Sequence, residues 1–253
     1  GVKVYSQDFT GDAGEEWSAN LVSVTPTGGR RFLGEFGNQT VTLTLNNLPP
    51  HAAATVVFDQ FVIRGWDGGS VTDGPDLWEV NLAGGLKLVH ATFNNGPAGE
   101  QAFPGTYPGA TFPARTGALE NNTLGFTVPG SGVTDSVYRH VQIFPHTASS
   151  LVLNFLGSGL AALSEESWGL DNVQVYLVPQ EGPPELTAIG FTAGGFRLEV
   201  TAEPGWTYVV EASADLIDWV RLQTTQPNGN LVEFVDPEAP AMSRRFYRVV
   251  RMP

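Results

Sequence analysis

The chain has 253 residues, no Cys, and a formal charge of −13 from 26 acidic and 13 basic side chains. Without Cys it can build neither a disulfide framework nor a thiolate metal site. So acidic a surface repels phosphate backbones and anionic lipid, which argues against nucleic-acid and membrane-surface partners, and no apolar run reaches the ~18 residues needed to span a bilayer.

The length suffices for one large or two ordinary domains. Apolar residues make up 42%, enough for a full core, and Gly (30) and Pro (18) punctuate segments rich in Thr, Val, Phe and Leu. Helical periodicity is hard to find, and the composition is that of an all-β protein.

In chain order, the first marked feature is Asp8, in Tyr5-Ser6-Gln7-Asp8-Phe9. Period-two or apolar runs follow at 40–45, 55–63, 77–82, 86–93, 137–144, 151–155 and 173–178, separated by turn clusters such as Asp67-Gly68-Gly69-Ser70 and Asn94-Asn95-Gly96-Pro97. Many strands joined by long crossing loops predict a two-sheet jelly-roll β-sandwich over 1–178. The stretch 96–117, rich in Pro, Gly and Phe, shows no strand pattern and reads as a long loop of the kind that often carries function. Residues 179–184, Pro-Gln-Glu-Gly-Pro-Pro, are too Pro-rich for a sheet interior and read as a short, stiff linker. Beyond it, shorter strands at 196–201, 207–212, 219–223, 231–235 and 246–250 recur about every ten residues, the spacing of a small immunoglobulin-like β-sandwich over 185–253.

Several residues carry candidate chemistry. The end strands of a β-sandwich often lie side by side, so Asp8 and the pair Asp171-Asn172, just before the last strand of the first block, can meet. With Glu165 and Glu166 upstream they offer oxygens for a structural Ca²⁺, which takes six to eight oxygen ligands. Asp67, Asp73 and Asp76, in a Gly-rich stretch flanked by Trp66 and Trp78, form a second acidic cluster; it lacks the full EF-hand spacing and reads first as a solvated loop. Asp59 shares a strand face with Val57, Phe61 and Ile63 and needs a partner such as Arg64 or a backbone amide.

For carbohydrate, Tyr138, His140 and Gln142 alternate on one strand face and suggest a concave polar and aromatic surface. Trp66, Trp78 and Tyr107 are further aromatics for stacking on sugar rings. Catalytic readings are weak: the alternating-acid strand signature of jelly-roll glycosidases is absent, the four His are scattered, and Gly130-Ser131-Gly132 and Gly157-Ser158-Gly159 lack a nucleophile elbow. The expectation is a protein that is not an enzyme.

Two resemblances add to this reading. Pro204-Gly205-Trp206-Thr207-Tyr208-Val209-Val210-Glu211-Ala212-Ser213, Asp215-Leu216-Ile217-Asp218-Trp219 and Arg244-Arg245-Phe246-Tyr247-Arg248-Val249 resemble the small immunoglobulin- or fibronectin-III-like module that ends many secreted proteins of Verrucomicrobia and related bacteria. The resemblance implies export and an extracellular or cell-surface location for a bacterial protein. Asp8-Phe9, Phe32-Leu33-Gly34, Trp66-Asp67-Gly68, Gly74-Pro75-Asp76-Leu77-Trp78 and Trp168-Gly169-Leu170-Asp171-Asn172-Val173 resemble bacterial jelly-roll modules of the concanavalin, laminin-G and MAM-like type. In MAM-like modules an early Asp before Phe and a late Asp before the last strand contribute to a calcium site, which implies that role for Asp8 and Asp171. The leading expectation is recognition of a glycan or extracellular matrix. The alternative is a structural subunit that pairs with copies of itself in an extracellular filament or surface layer.

Overall fold

The computed structural model describes every residue except 71, 73, 180–183, 204, 205 and 253. It is all-β: among the described residues the single helical element is the 3₁₀ turn Ala239–Ala241. The chain forms two compact units, Gly1–Gln180 and Glu181–Pro253. Most of the expected linker, 180–183, lies outside the described residues.

In the first unit a seven-stranded sheet runs in the order Glu120–Asn121, Asp135–Pro145, His51–Arg64, Glu166–Pro179, Arg31–Phe36, Val22–Val24, with Val2–Gln7 also paired to Glu166–Pro179. A four-stranded sheet runs Thr40–Leu45, Leu151–Ser158, Leu77–Leu82, Lys87–Thr92. One core joins the two sheets: Phe58, Tyr138, Trp168 and Leu170 from the larger meet Leu43, Trp78, Val80 and Phe155 from the smaller. The back of the larger sheet carries its own cluster of Phe32, Phe61, Ile63, Leu124, Phe126 and Val137. The strand Arg31–Phe36 therefore buries side chains on both faces, Phe32 on one and Leu33 on the other, and has no apolar–polar alternation.

The strand Glu166–Pro179 is longer than the expected 173–178, and the reason is local. Its pairing with His51–Arg64 runs regularly to Asp171 opposite Asp59, then slips before Gln174 opposite Val57. Asn172 takes a left-handed conformation at φ 52°, as an extra residue in a bulge does. The bulge reverses side-chain parity. Trp168 and Leu170 enter the shared core before it, and Val173 and Val175 after it. Asp171-Asn172 is thus mid-strand, not ahead of the strand as the sequence suggests.

The second unit holds two three-stranded sheets, Leu186–Thr192, Gly195–Thr201, Leu231–Asp236 and Val220–Thr225, Thr207–Ser213, Phe246–Met252. Leu198, Val200, Tyr208, Val210, Val232 and Phe234 fill its core. Buried Asp236 is held by Arg245 Nε at 2.5 Å and Tyr247 Oη at 3.0 Å.

Candidate functional site

The end strands of the first unit are neighbours, Gln7 pairing with Val173. Their acids nevertheless part. Asp8 is exposed and accepts the Thr10 amide at 3.1 Å and its hydroxyl at 2.8 Å, which hold its carboxyl below the usual carboxylate range. Asp171 is buried on the back of the larger sheet, where Arg30 Nη2 lies 3.6 Å away and its own neighbour's amide, Asn172 N, donates at 2.8 Å. Burial pushes its pKa up to about 6, against the pull of those donors. Beside it Asp59 accepts Arg139 Nε at 2.8 Å and Nη2 at 2.9 Å and the Asn172 side-chain amide at 2.9 Å. The partner of Asp59 is therefore Arg139 on the adjoining strand, not Arg64.

The calcium centre expected from Asp8, Asp171, Asn172, Glu165 and Glu166 does not assemble. The positive charge it would supply to Asp171 already comes from Arg30. Glu165 is exposed, and Glu166, five residues before Asp171, points to the opposite face. Among the described residues no group of three or more His, Asp or Glu side chains is arranged to hold a metal ion. Because folding raises the Asp171 pKa above its unfolded value, its contribution to stability is complete below about pH 4 and is lost as pH rises through about 6. Asp171→Asn should gain about 1–2 kcal/mol on the wild type between pH 4 and pH 7, read from urea midpoints; parallel pH curves would refute the assignment.

The acids that do gather lie at the other end of the strand. Asp76 is fully buried. Its amide donates to Gly68 O at 2.8 Å, and its Oδ2 accepts the Asp67 amide. Among the described residues its Oδ1 has no hydrogen-bond donor. Glu166, 5% exposed, accepts the Ala161 amide at 2.6 Å and faces Asp76. Burial first, and then the charges of Glu166 and Asp67, push the Asp76 pKa up to about 8, and burial raises that of Glu166. Gly68, at φ 83°, makes the close turn possible: a Cβ there would stand 2.1 Å from Glu100 O. The Asn94 side-chain amide ties the turn down, donating to Asp67 O at 2.7 Å. Asp73 lies outside the described residues.

Against this turn opens a cleft of about 380 Å³, lined among others by Asp67, Ser70, Asn94, Glu100, Gln101 and Tyr107. One wall is the long loop 96–117, which holds only the two-residue strands Glu100–Gln101 and Phe112–Pro113. Buried side-chain amides replace a ladder as its scaffold. Gln101 Oε1 accepts Arg115 N at 2.9 Å and Tyr138 Oη at 3.1 Å, while its Nε2 donates to Phe103 O at 3.0 Å and Thr116 O at 3.1 Å. Asn95 donates to Val62 O at 3.1 Å and Arg64 O at 2.9 Å. The roles of Asn94, Asn95 and Gln101 are not foreseen in the sequence, where Asn94-Asn95 reads only as a turn.

Of the residues expected to bind sugar, Tyr107 stands half-buried in the cleft. Trp66, Trp78, Tyr138 and His140 do not qualify, because each is at most 2% exposed. Tyr138, His140 and Gln142 do share a strand face, but it is the face turned to the core; the outer face carries Arg139, Val141 and Ile143. Trp66 donates its indole N–H to Ser167 O at 2.8 Å, and Trp78 packs between the two sheets.

No protein-family model matches this chain, and no curated protein matches it. Among solved structures it is similar to a β-1,2-glucanase from Parabacteroides distasonis, 12% identical, over 84% of this chain and 28% of that one, with a TM-score of 0.20. The chain thus spans little more than a quarter of that enzyme's length. The expectation that the protein is not an enzyme is withdrawn, since the matched structure is an enzyme's; a likeness this low carries no argument for any particular activity.

Proposed function

We propose that the chain is an exported protein of the extracellular space or cell surface, and that its larger unit recognises a glycan of the surroundings in the cleft beside Tyr107. On this reading the larger unit is a jelly-roll sandwich of the concanavalin-like kind and the smaller an immunoglobulin-like module that spaces or anchors it. The observation that carries the proposal is the lining of the cleft. Two carboxylates (Asp67 and Glu100) and the Ser70 hydroxyl line it together with one phenol ring, while the buried amides of Asn94 and Gln101 hold the loop behind them. Sugars present dense hydroxyl groups and apolar ring faces. Carboxylates and a hydroxyl satisfy the first, and an aromatic side chain covers the second. The cleft is built on a buried amide scaffold, so little ordering is required when a ligand enters.

Affinity electrophoresis through gels containing different polysaccharides tests this. Retardation by at least one polysaccharide is expected, weakened at least tenfold, about 1.4 kcal/mol, in Tyr107→Ala and in Glu100→Gln. Retardation that both variants leave unchanged would place recognition elsewhere.

A second reading, self-assembly into a filament or layer, has one specific observation in its favour. In the second unit, Phe191 (69% exposed) lies on the edge strand Leu186–Thr192, and Val220 (63% exposed) begins the edge strand Val220–Thr225. Apolar side chains on open strand edges suit strand addition by another copy. Regular polymers in negative stain, lost in Phe191→Lys, would favour this reading.

A further inference from the structure

We propose that Asp76 and Glu166 bind one Ca²⁺ at the root of the turn that walls the cleft. The argument starts from how this protein treats its other buried carboxylates. Asp59 has Arg139 at 2.8 Å, Asp171 has Arg30 at 3.6 Å, and Asp236 has Arg245 at 2.5 Å. Glu79 has Lys87 at 2.6 Å. Among the described residues Asp135 has no basic partner, but it accepts three backbone amides, from Leu124 at 3.1 Å, Gly125 at 2.9 Å and Phe126 at 3.2 Å. A buried carboxylate without such compensation is costly.

Asp76 and Glu166 break this pattern together. Among the described residues no Arg, Lys or His pairs with either, although Arg64 lies opposite Glu166 in the strand ladder. The Arg64 guanidinium turns instead to Glu35 and to the Ser167 hydroxyl, the latter at 2.9 Å. Each acid accepts one backbone amide. They then face each other, and two carboxylates hydrogen-bond only when one of them holds a proton. The fully buried Asp76 keeps Oδ1 without a donor. A shared proton joins the two acids when no metal is bound, and a cation in its place would neutralise both.

Gly74 adds an observation from the backbone. A Cβ on this residue would stand 2.8 Å from Asp76 N, 3.0 Å from Ser70 O and 3.2 Å from Asp76 Oδ1, so the chain can take this course only with Gly here. The missing side chain thus lets a backbone carbonyl and the unpartnered carboxylate oxygen both lie close beside Gly74. The chemistry is that of a hard divalent cation, because every candidate donor is oxygen. Ca²⁺ tolerates irregular shells of six to eight oxygens, with carboxylates, carbonyls and water mixed. Two side chains suffice when carbonyls and water complete the shell, so no group of three is required. The nearby charge of Asp67 strengthens the pull on the ion. This site is separate from Asp8 and Asp171 and stands whether or not the cleft takes a sugar.

The test uses the full chain, stripped with EDTA and titrated with Ca²⁺ alone in a calorimeter, with melting followed in parallel. One Ca²⁺ per chain and a rise in melting temperature of about 3 °C or more are expected. Asp76→Asn keeps the acceptor for the Asp67 amide and gains an N–H for Glu166; it should fold, yet bind Ca²⁺ at least tenfold more weakly. Glu166→Gln provides the same reading if Asp76→Asn fails to fold. Asp171→Asn should bind as the wild type does. The proposal is overturned by absence of heat and of any melting shift at about 5 mM free Ca²⁺, above the range of extracellular calcium modules. It is equally overturned if both Asp76→Asn and Glu166→Gln bind normally, or if Asp171→Asn alone loses binding.

Discussion

Replacing Trp78 by alanine should lower the stability of the larger unit by about 3–5 kcal/mol. Trp78 stands on the strand Leu77–Leu82 of the four-stranded sheet and is fully buried. Its ring meets Phe58, His140 and Trp168 of the seven-stranded sheet at centroid distances of 5.8, 5.5 and 5.9 Å, and Phe155 of its own sheet at 6.2 Å. It is therefore a contact between the sheets as well as a large buried surface. Truncation removes the burial and also several aromatic pairs, each worth about 0.5–1.5 kcal/mol. Among the described residues the indole N–H has no hydrogen-bond partner, so its removal orphans no polar group there. Urea unfolding followed on the first unit measures the loss, and Trp78→Phe should recover much of it. A loss under about 1 kcal/mol would mean that the two sheets are not held together here.

The second large effect is acid sensitivity from His140. This side chain is 2% exposed, stacked on Phe58 at 4.9 Å and close to Trp78 and Phe103 at 5.5 and 5.2 Å. Its Nε2 meets Gln60 Oε1 at 2.9 Å, the geometry of a neutral ring donating there. Burial pulls its pKa down to about 3, only weakly opposed by the Asp59 charge. With the folded pKa below the unfolded value of about 6.5, the group costs nothing above pH 6.5. As pH falls from there, the unfolded chain takes up a proton that the native protein refuses, and stability is lost by about 1.4 kcal/mol per unit until the folded pKa is reached. Between pH 7 and pH 5 the wild type should lose about 2 kcal/mol relative to His140→Gln, which cannot titrate. Carboxylates common to both proteins cancel in that comparison. Unfolding curves at four pH values measure it, and parallel profiles would show that the ring is not held neutral by burial.

The same residue shows where sequence reading stops. The alternation of Tyr138, His140 and Gln142 correctly puts them on one face of a strand. Period two cannot say which face another sheet covers, and Trp78 and Phe93 cover this one. Trp66 and Trp78 flank a turn in sequence and therefore look available, but both rings fold back into the core. Asp59 lacks a visible partner in sequence because Arg139 is eighty residues away and becomes its neighbour only through strand pairing.

The acids follow the same logic. Local Gly and Asp density points to the turn that holds Asp67 and Asp76. Their companion Glu166 is grouped instead with Asp171, its neighbour in sequence. Strand parity separates those two, and the bulge at Asn172 hides that parity by restarting the alternation at Val173. The strand Arg31–Phe36 goes unseen for a related reason, since a strand buried on both faces does not alternate. The loop 96–117, in contrast, is recognisable from its Pro and Gly content, although the amides that shape it are not.

Recognition in the Tyr107 cleft is tested most directly by a glycan array probed with the wild type and Tyr107→Ala side by side. The account predicts a defined set of glycans bound by the wild type, with the same spots dimmed at least tenfold in the variant while its melting temperature stays within about 1 °C. An array on which the wild type binds nothing, or on which both proteins bind alike, would contradict it.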